Sequence, residues 1–341
     1  MAMNKLREEM AAAFVSALEE EKIPWIKSWS VRGIPVNAIN GNEYRGVNRM
    51  WLAYLAHENG YKDNRWCTFN QAKEKGYMIK KGAHGAKIEF WSWYDTLTKK
   101  KLSYSEFNET VAAIKDTGEK WDDRIKPISS IYVVFNAEQI EGIPEPEELK
   151  LPEKGELLDG RNRIIDKMEL SFREDGDRAF YRPSDDSLHM PPYKNFKSEY
   201  AYMATFLHEA GHATGAEHRL NRNIKNTFGT SDYAREELRA EIASAFTAQI
   251  LGIGSEAGVD NHKAYIQSWI SILKNNPNEL FAAIKDAEKI SDYLIEKGEF
   301  LKDKSDVKCL AADEKKADPD MELTKKKNRK NKNASHEMER L

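Results

Sequence analysis

The chain has 341 residues, 40% of them hydrophobic and 32% charged, enough to bury at least one full core. No run approaches the roughly 20 apolar residues a membrane helix needs, so no membrane-spanning helix is expected. Two cysteines, Cys67 and Cys309, without metal-ligand spacing exclude a disulfide scaffold, so a cytoplasmic location in whatever cell makes the protein is expected.

Residues 3–21 carry Leu6, Met10, Phe14 and Leu18 at four-residue intervals, which predicts an amphipathic helix ending before Pro24. "GIPVNAINGNEYRGVN" then reads as extended chain with turns, and "RMWLAYLAHENGY" as a helix. In "TFNQAKEKGY" Thr68 is placed to cap a short helix that Gly76 ends. "AKIEFWSWY" and "SIYVVFNAEQI" are β-rich, with a polar insert, 95–126, between them. Prolines and acids gather at 142–156, the expected linker, and several helices follow a few strands over 157–301. From residue 302 the composition is charged and poor in large apolar residues, so 302–341 is expected to be a disordered tail.

The formal charge of −3 averages over unlike regions: residues 22–101 hold 15 Lys and Arg against 6 Asp and Glu, an excess of nine. Six of the eight tryptophans, Trp25, Trp29, Trp51, Trp66, Trp91 and Trp93, fall in that same stretch. A cationic track with aromatic faces is what single-stranded nucleic acid binds. Lys73, Lys75, Lys80, Lys81 and Lys87 flank turns and short elements, which suits a groove better than a reading helix.

The second half carries "FLHEAGHATGAEHRLNR". His208 and His212 are four apart, on one helical face where both imidazoles can reach one ion, and Glu209 is placed as the general base. Three candidates complete the metal set. "HEAGHATGAEH" would close on His218, but no methionine lies between Met203 and Met321 to form the floor of such a site. A glutamate from "YAREELRAEIASAFTAQIL" is the alternative. Measured from the stripe Leu238, Ile242, Ala245 and Gln249, Glu241 lies roughly 70° off the inward centre, Glu237 about 110° and Glu236 nearly opposite. Glu241 is therefore the expected third ligand, with His218 as an alternative or a substrate contact and Glu237 as a further alternative. The metal is expected to be Zn²⁺ or another divalent ion such as Mn²⁺. "DDSLHMPPYKNF" is expected to supply an edge strand for an extended peptide.

"IPWIKSWSVRGIPVNAINGNEYRGVNRMWL", "RWCTFNQAKEKGYMIKKGAHGAKIEFW", "IYVVFNAEQIEG", "LHMPPYKNF" and "HEAGHATGAEHRLNR" together resemble the ArdC-type antirestriction proteins of plasmids and phages. The resemblance implies a two-domain α+β protein. Residues 1–141 would be an α+β domain that binds single-stranded DNA, and 157–301 a mainly helical, zincin-like metallopeptidase domain. Such a protein shields incoming DNA from host restriction, and a protein or peptide substrate is a possible second partner. Asn37, Tyr44, Arg45, Gly46, Asn48, Trp66, Thr68, Gln71 and the Lys81–Gly82 turn are implied as the signature surface of the DNA domain. The competing readings are a DNA-binding protein with an inert metal site and a regulatory protease.

Overall fold

The computed structural model describes residues 5–27, 33–146, 152–153, 155–224, 229–253 and 259–300. Trp29, part of the expected linker and the expected disordered tail lie outside the described residues. Mixed helices and strands occur throughout, as the sequence predicts.

Helix α1 (Lys5–Glu19) buries Leu6, Met10, Phe14 and Leu18, the four-residue series that defines its inner stripe. A short α2 (Pro24–Lys27) opens on proline, whose fixed φ suits a first helical turn. Strand β1 (Val36–Asn37) and α3 (Gly46–Glu58) precede β2 (Arg65–Thr68), which runs straight into α4 (Phe69–Glu74). Thr68 ends the strand and caps the helix: its side chain accepts from Gln71 N, and the Gln71 side chain accepts from Thr68 N. Then come β3 (Met78–Ile79), β4 (Ala86–Asp95), β5 (Lys100–Leu102), α5 (Tyr104–Asp116), α6 (Trp121–Arg124), β6 (Ile125–Asn136) and β7 (Ile140–Glu141).

Packing divides the described chain into two compact units. The smaller is Glu89–Tyr132, and the larger takes the residues before and after it. In the smaller unit the polar insert folds around rings: Trp93 stacks on Phe107 at 4.5 Å and meets the edge of Trp121 at 5.8 Å. Asp95, buried, accepts from Arg124 Nε at 2.8 Å and Nη2 at 2.6 Å, closing the base of the insert.

In the larger unit β2 pairs with β1 in parallel and with the end of β6 in antiparallel register, Trp66 opposite Asn136. The remaining elements are α7 (Glu156–Lys167), β8 (Ser171–Glu174), β9 (Phe180–Arg182), β10 (Ser187–Met190), α8 (Glu199–Ala213), α9 (Ser231–Ile250), α10 (Val259–Asn275) and α11 (Asn278–Gly298). Helix α9 is the hub: it packs on α8, α10, α11 and α2, while α1 packs on α10 and α3 on α11. Residues up to Ile88 therefore share one compact body with the C-terminal helices.

Strand β10, from "SLHM", does not lie at the sheet edge as expected. It sits between β8, parallel, and β9, antiparallel, and all four of its residues are buried. The edge beside α8 is β9, because the shorter strand pairs on one side only.

Candidate metal centre and nucleic-acid interface

Helix α8 starts at Ser198, whose hydroxyl accepts from Ala201 N. The four-residue spacing then stacks His208 and His212, with their Nε2 atoms 3.2 Å apart. Opposite them, α9 comes close because the contact residues are small. A Cβ added to Gly211 would stand 3.8 Å from both Cα and Cβ of Ala240.

That approach delivers three carboxylates to the two imidazoles. Glu237 faces both rings, with Oε2 3.6 Å from His208 Nε2 and Oε1 3.5 Å from His212 Nε2. Glu241, the expected third donor, lies instead 3.6 Å from His208 Nδ1. Glu236 stands 3.4 Å from His212 Nδ1. His208, His212 and Glu237 thus turn one donor atom each toward a common point, all within 4.8 Å of one another. Behind each ring a second carboxylate faces the other nitrogen, which fixes the tautomer a metal requires.

Glu241 falls behind His208 rather than between the two rings, and α9 is enclosed on several sides. Its buried residues include Glu236, Glu237, Leu238, Ala240, Glu241 and an unbroken run from Ile242 to Gln249. A stripe centre has meaning only for a helix with one wet face.

The electrostatics suit a cation. Glu209, Glu236, Glu237 and Glu241 are all buried, and Arg222 pairs with Glu236 at 2.7 Å. Burial works against charge on His208, but Glu241, Glu237 and Glu209 outweigh it and push the ring up to about 10. Glu237 is held down to about 2: burial opposes ionisation, and the hydrogen bond from His208, the charge of His212 and a bond from Tyr233 overcome it. Two imidazole nitrogens and one carboxylate, in a field this negative, form a donor set for a divalent ion.

His218 does not join the cluster. Its side chain is 64% exposed and stands 3.6 Å from Asp186, which Arg219 and the Tyr181 hydroxyl already bind. Tyr181 has a second task that the sequence did not suggest: its backbone N–H, on the edge strand, donates to Glu209 Oε2 at 3.0 Å. Arg222 is a second residue whose role no sequence spacing announces. It donates to Thr214 Oγ1, to Gly211 O and to Glu236, tying the end of α8 to α9.

The residues expected to touch nucleic acid divide sharply. Trp25 and Trp66 are 0% and 1% exposed, so they are core rings and offer no face to a base. Asn37 donates to Gln71 Oε1 and Tyr44 Oη, its own Oδ1 accepts from Ile39 and Asn40, and Tyr44 donates to Trp66 O. With the Thr68–Gln71 cap, these residues hold the turn after β1, the end of β2 and the start of α4 together. Arg45 is bound to Glu288 at 3.2 Å and to Asp292, both on α11, and Asn48 is half-buried. Lys80, Lys81 and Lys87 are exposed; Lys80 Nζ donates to Glu138 O.

Residues 4–135 match a family model described as the N-terminal domain of anti-restriction factor ArdC, and residues 160–286 match a zincin-like metallopeptidase model. DNA primase TraC of Escherichia coli is 36% identical over 293 residues, covering 84% of this chain and 27% of the primase. The chain thus spans about a quarter of that relative's length. An uncharacterized protein, y4eC, of Sinorhizobium fredii is 33% identical, with 85% of this chain and 90% of that protein covered. The metal-free crystal structure of the antirestriction protein ArdC from plasmid R388 superposes with a TM-score of 0.68 at 30% identity, covering 87% of this chain and 98% of that one. The Mn(II)-bound structure of the same protein gives 0.67 over 86% of this chain.

Proposed function

This chain belongs to the ArdC antirestriction family, and on that premise we propose that it binds single-stranded DNA, protects a mobile element's DNA from host restriction, and hydrolyses peptide bonds at a metal held by His208, His212 and Glu237. The convergence of those three donors, each imidazole backed by its own carboxylate, supports the catalytic half. Bound there, a divalent ion such as Zn²⁺ or Mn²⁺ would polarise a substrate carbonyl and acidify a water.

The chain's own residues do the rest. Glu237 closes the donor set, while Glu241 and Glu236 hold the two rings so that their Nε2 atoms stay turned to the ion. Glu209 Oε2 is fixed by Tyr181 N–H, which leaves Oε1 to take up a proton and pass it to the leaving nitrogen. Strand β9 is the sheet edge beside α8 and is placed to align an extended peptide.

Glu209→Gln tests the reading. It should keep metal and fold while abolishing metal-dependent cleavage of an unstructured peptide library. Plasmid transfer into a restricting host, with and without this change, then separates the chemistry from the protection. Full protection by a cleavage-dead protein would refute proteolysis as the protective step.

A further inference from the structure

Resting on the single-stranded DNA reading, we propose that the strand lies on the outer side of the α4–β3 hairpin, with Phe69 and Met78 contacting bases and Lys73, Lys80 and Lys81 contacting phosphates.

Most of the residues expected to meet DNA are committed elsewhere. The best-placed rings, Trp25 and Trp66, are buried; Asn37, Tyr44, Thr68 and Gln71 bond to one another; Arg45 is taken by α11. The same segment presents two large apolar side chains to water: Phe69 is 54% exposed and Met78 64%.

Their placement follows from the period of each element. On α4, Ala72 is fully buried against Cys67 and Ile140, whereas Phe69 and Lys73, four apart, share an exposed side. On β3, Ile79 packs into that same cluster, so Met78 and exposed Lys80, two apart, emerge together on the other side of the chain. A turn at Gly76, closed by Tyr77 N to Ala72 O at 2.9 Å, joins the two elements. Lys81 and Lys75 are exposed beside them; Glu74 is the one acid within the segment, and Glu141 of β7 pairs across from Met78. Each apolar side chain therefore has a lysine on its own side of its element.

This pattern selects the ligand. Apolar side chains gain from contact with base faces, which a duplex keeps stacked and a single strand exposes, and the lysines supply sequence-independent contacts to its phosphates. Residues 69–81 contain no arginine to read base edges with a fork of donors, so little sequence preference is expected.

Fluorescence anisotropy of the full chain with a labelled oligothymidylate decides the matter, each variant being checked for an unchanged thermal melt. Phe69→Ala should weaken binding about 5- to 150-fold, and Phe69→Trp should restore it. Lys73→Ala, Lys80→Ala and Lys81→Ala together should lower the slope of log K against log salt by about 2. Lys194→Ala with Lys197→Ala, on the loop after β10, serves as the control and should change neither. If the unaltered protein binds but the Phe69 and lysine variants stay within twofold of it, the placement is overturned and DNA binding stands. If the unaltered protein does not bind the oligonucleotide, both fail.

Discussion

Glu237 and Glu241 are one turn apart on α9, yet their substitution by glutamine should have unequal effects on the metal. Glu237 reaches both Nε2 atoms, at 3.6 and 3.5 Å, whereas Glu241 faces the far nitrogen of His208, at 3.6 Å. Removing a carboxylate that merely backs a ligating imidazole costs about 10- to 100-fold in metal affinity, or about 1.4–2.7 kcal/mol. Removing a carboxylate that itself binds the ion should exceed that upper bound. Competition for Zn²⁺ and Mn²⁺ against a chelating dye, at fixed pH, measures both variants. Circular dichroism on the same samples checks that the helices remain. Equal losses, or a larger loss for Glu241→Gln, would refute the assignment of Glu237 and return the third position to the neighbour one turn on.

Three further outcomes are expected. In the metal-free protein His208 titrates at about 10 against an ordinary 6.5, so its contribution to stability is complete below 6.5 and is lost as pH rises through 10. Thermal melts of chelator-treated protein should fall across that window, and saturating metal, which needs the neutral ring, should remove the fall. Arg49, 4% exposed, donates to Gln249 Oε1 at 2.8 Å and to Phe246 O at 2.6 Å; Arg49→Met strands both acceptors and should cost about 3 kcal/mol in urea denaturation. At Gly215 a Cβ would meet Ile224 Cγ2 at 2.3 Å and Arg222 Nη2 at 3.0 Å, so Gly215→Ala should cost about 1–3 kcal/mol by chemical denaturation and weaken metal binding through Arg222.

Local rules carried much of this protein. The stripe on α1, the Thr68 cap and the helix bearing His208 and His212 are written in spacings of three and four residues, which the backbone turns directly into shared faces. The polar insert is organised differently. Its organising contacts, Trp93 on Phe107 and Trp121, and Asp95 on Arg124, join residues 14 to 29 positions apart, beyond the reach of any periodicity.

Sequence by itself determined the chemical inventory: two imidazoles and a carboxylate on one helix, acids on the next, and a basic aromatic first third. Tertiary structure alone decided which acid stands where, because α9 is buried along most of its length and its amphipathic pattern no longer points to a single neighbour. It also decided that Trp25 and Trp66 are core while Phe69 is surface. The same aromatic ring gains by burial or by stacking on a base, and only the packing around it settles which surface it meets.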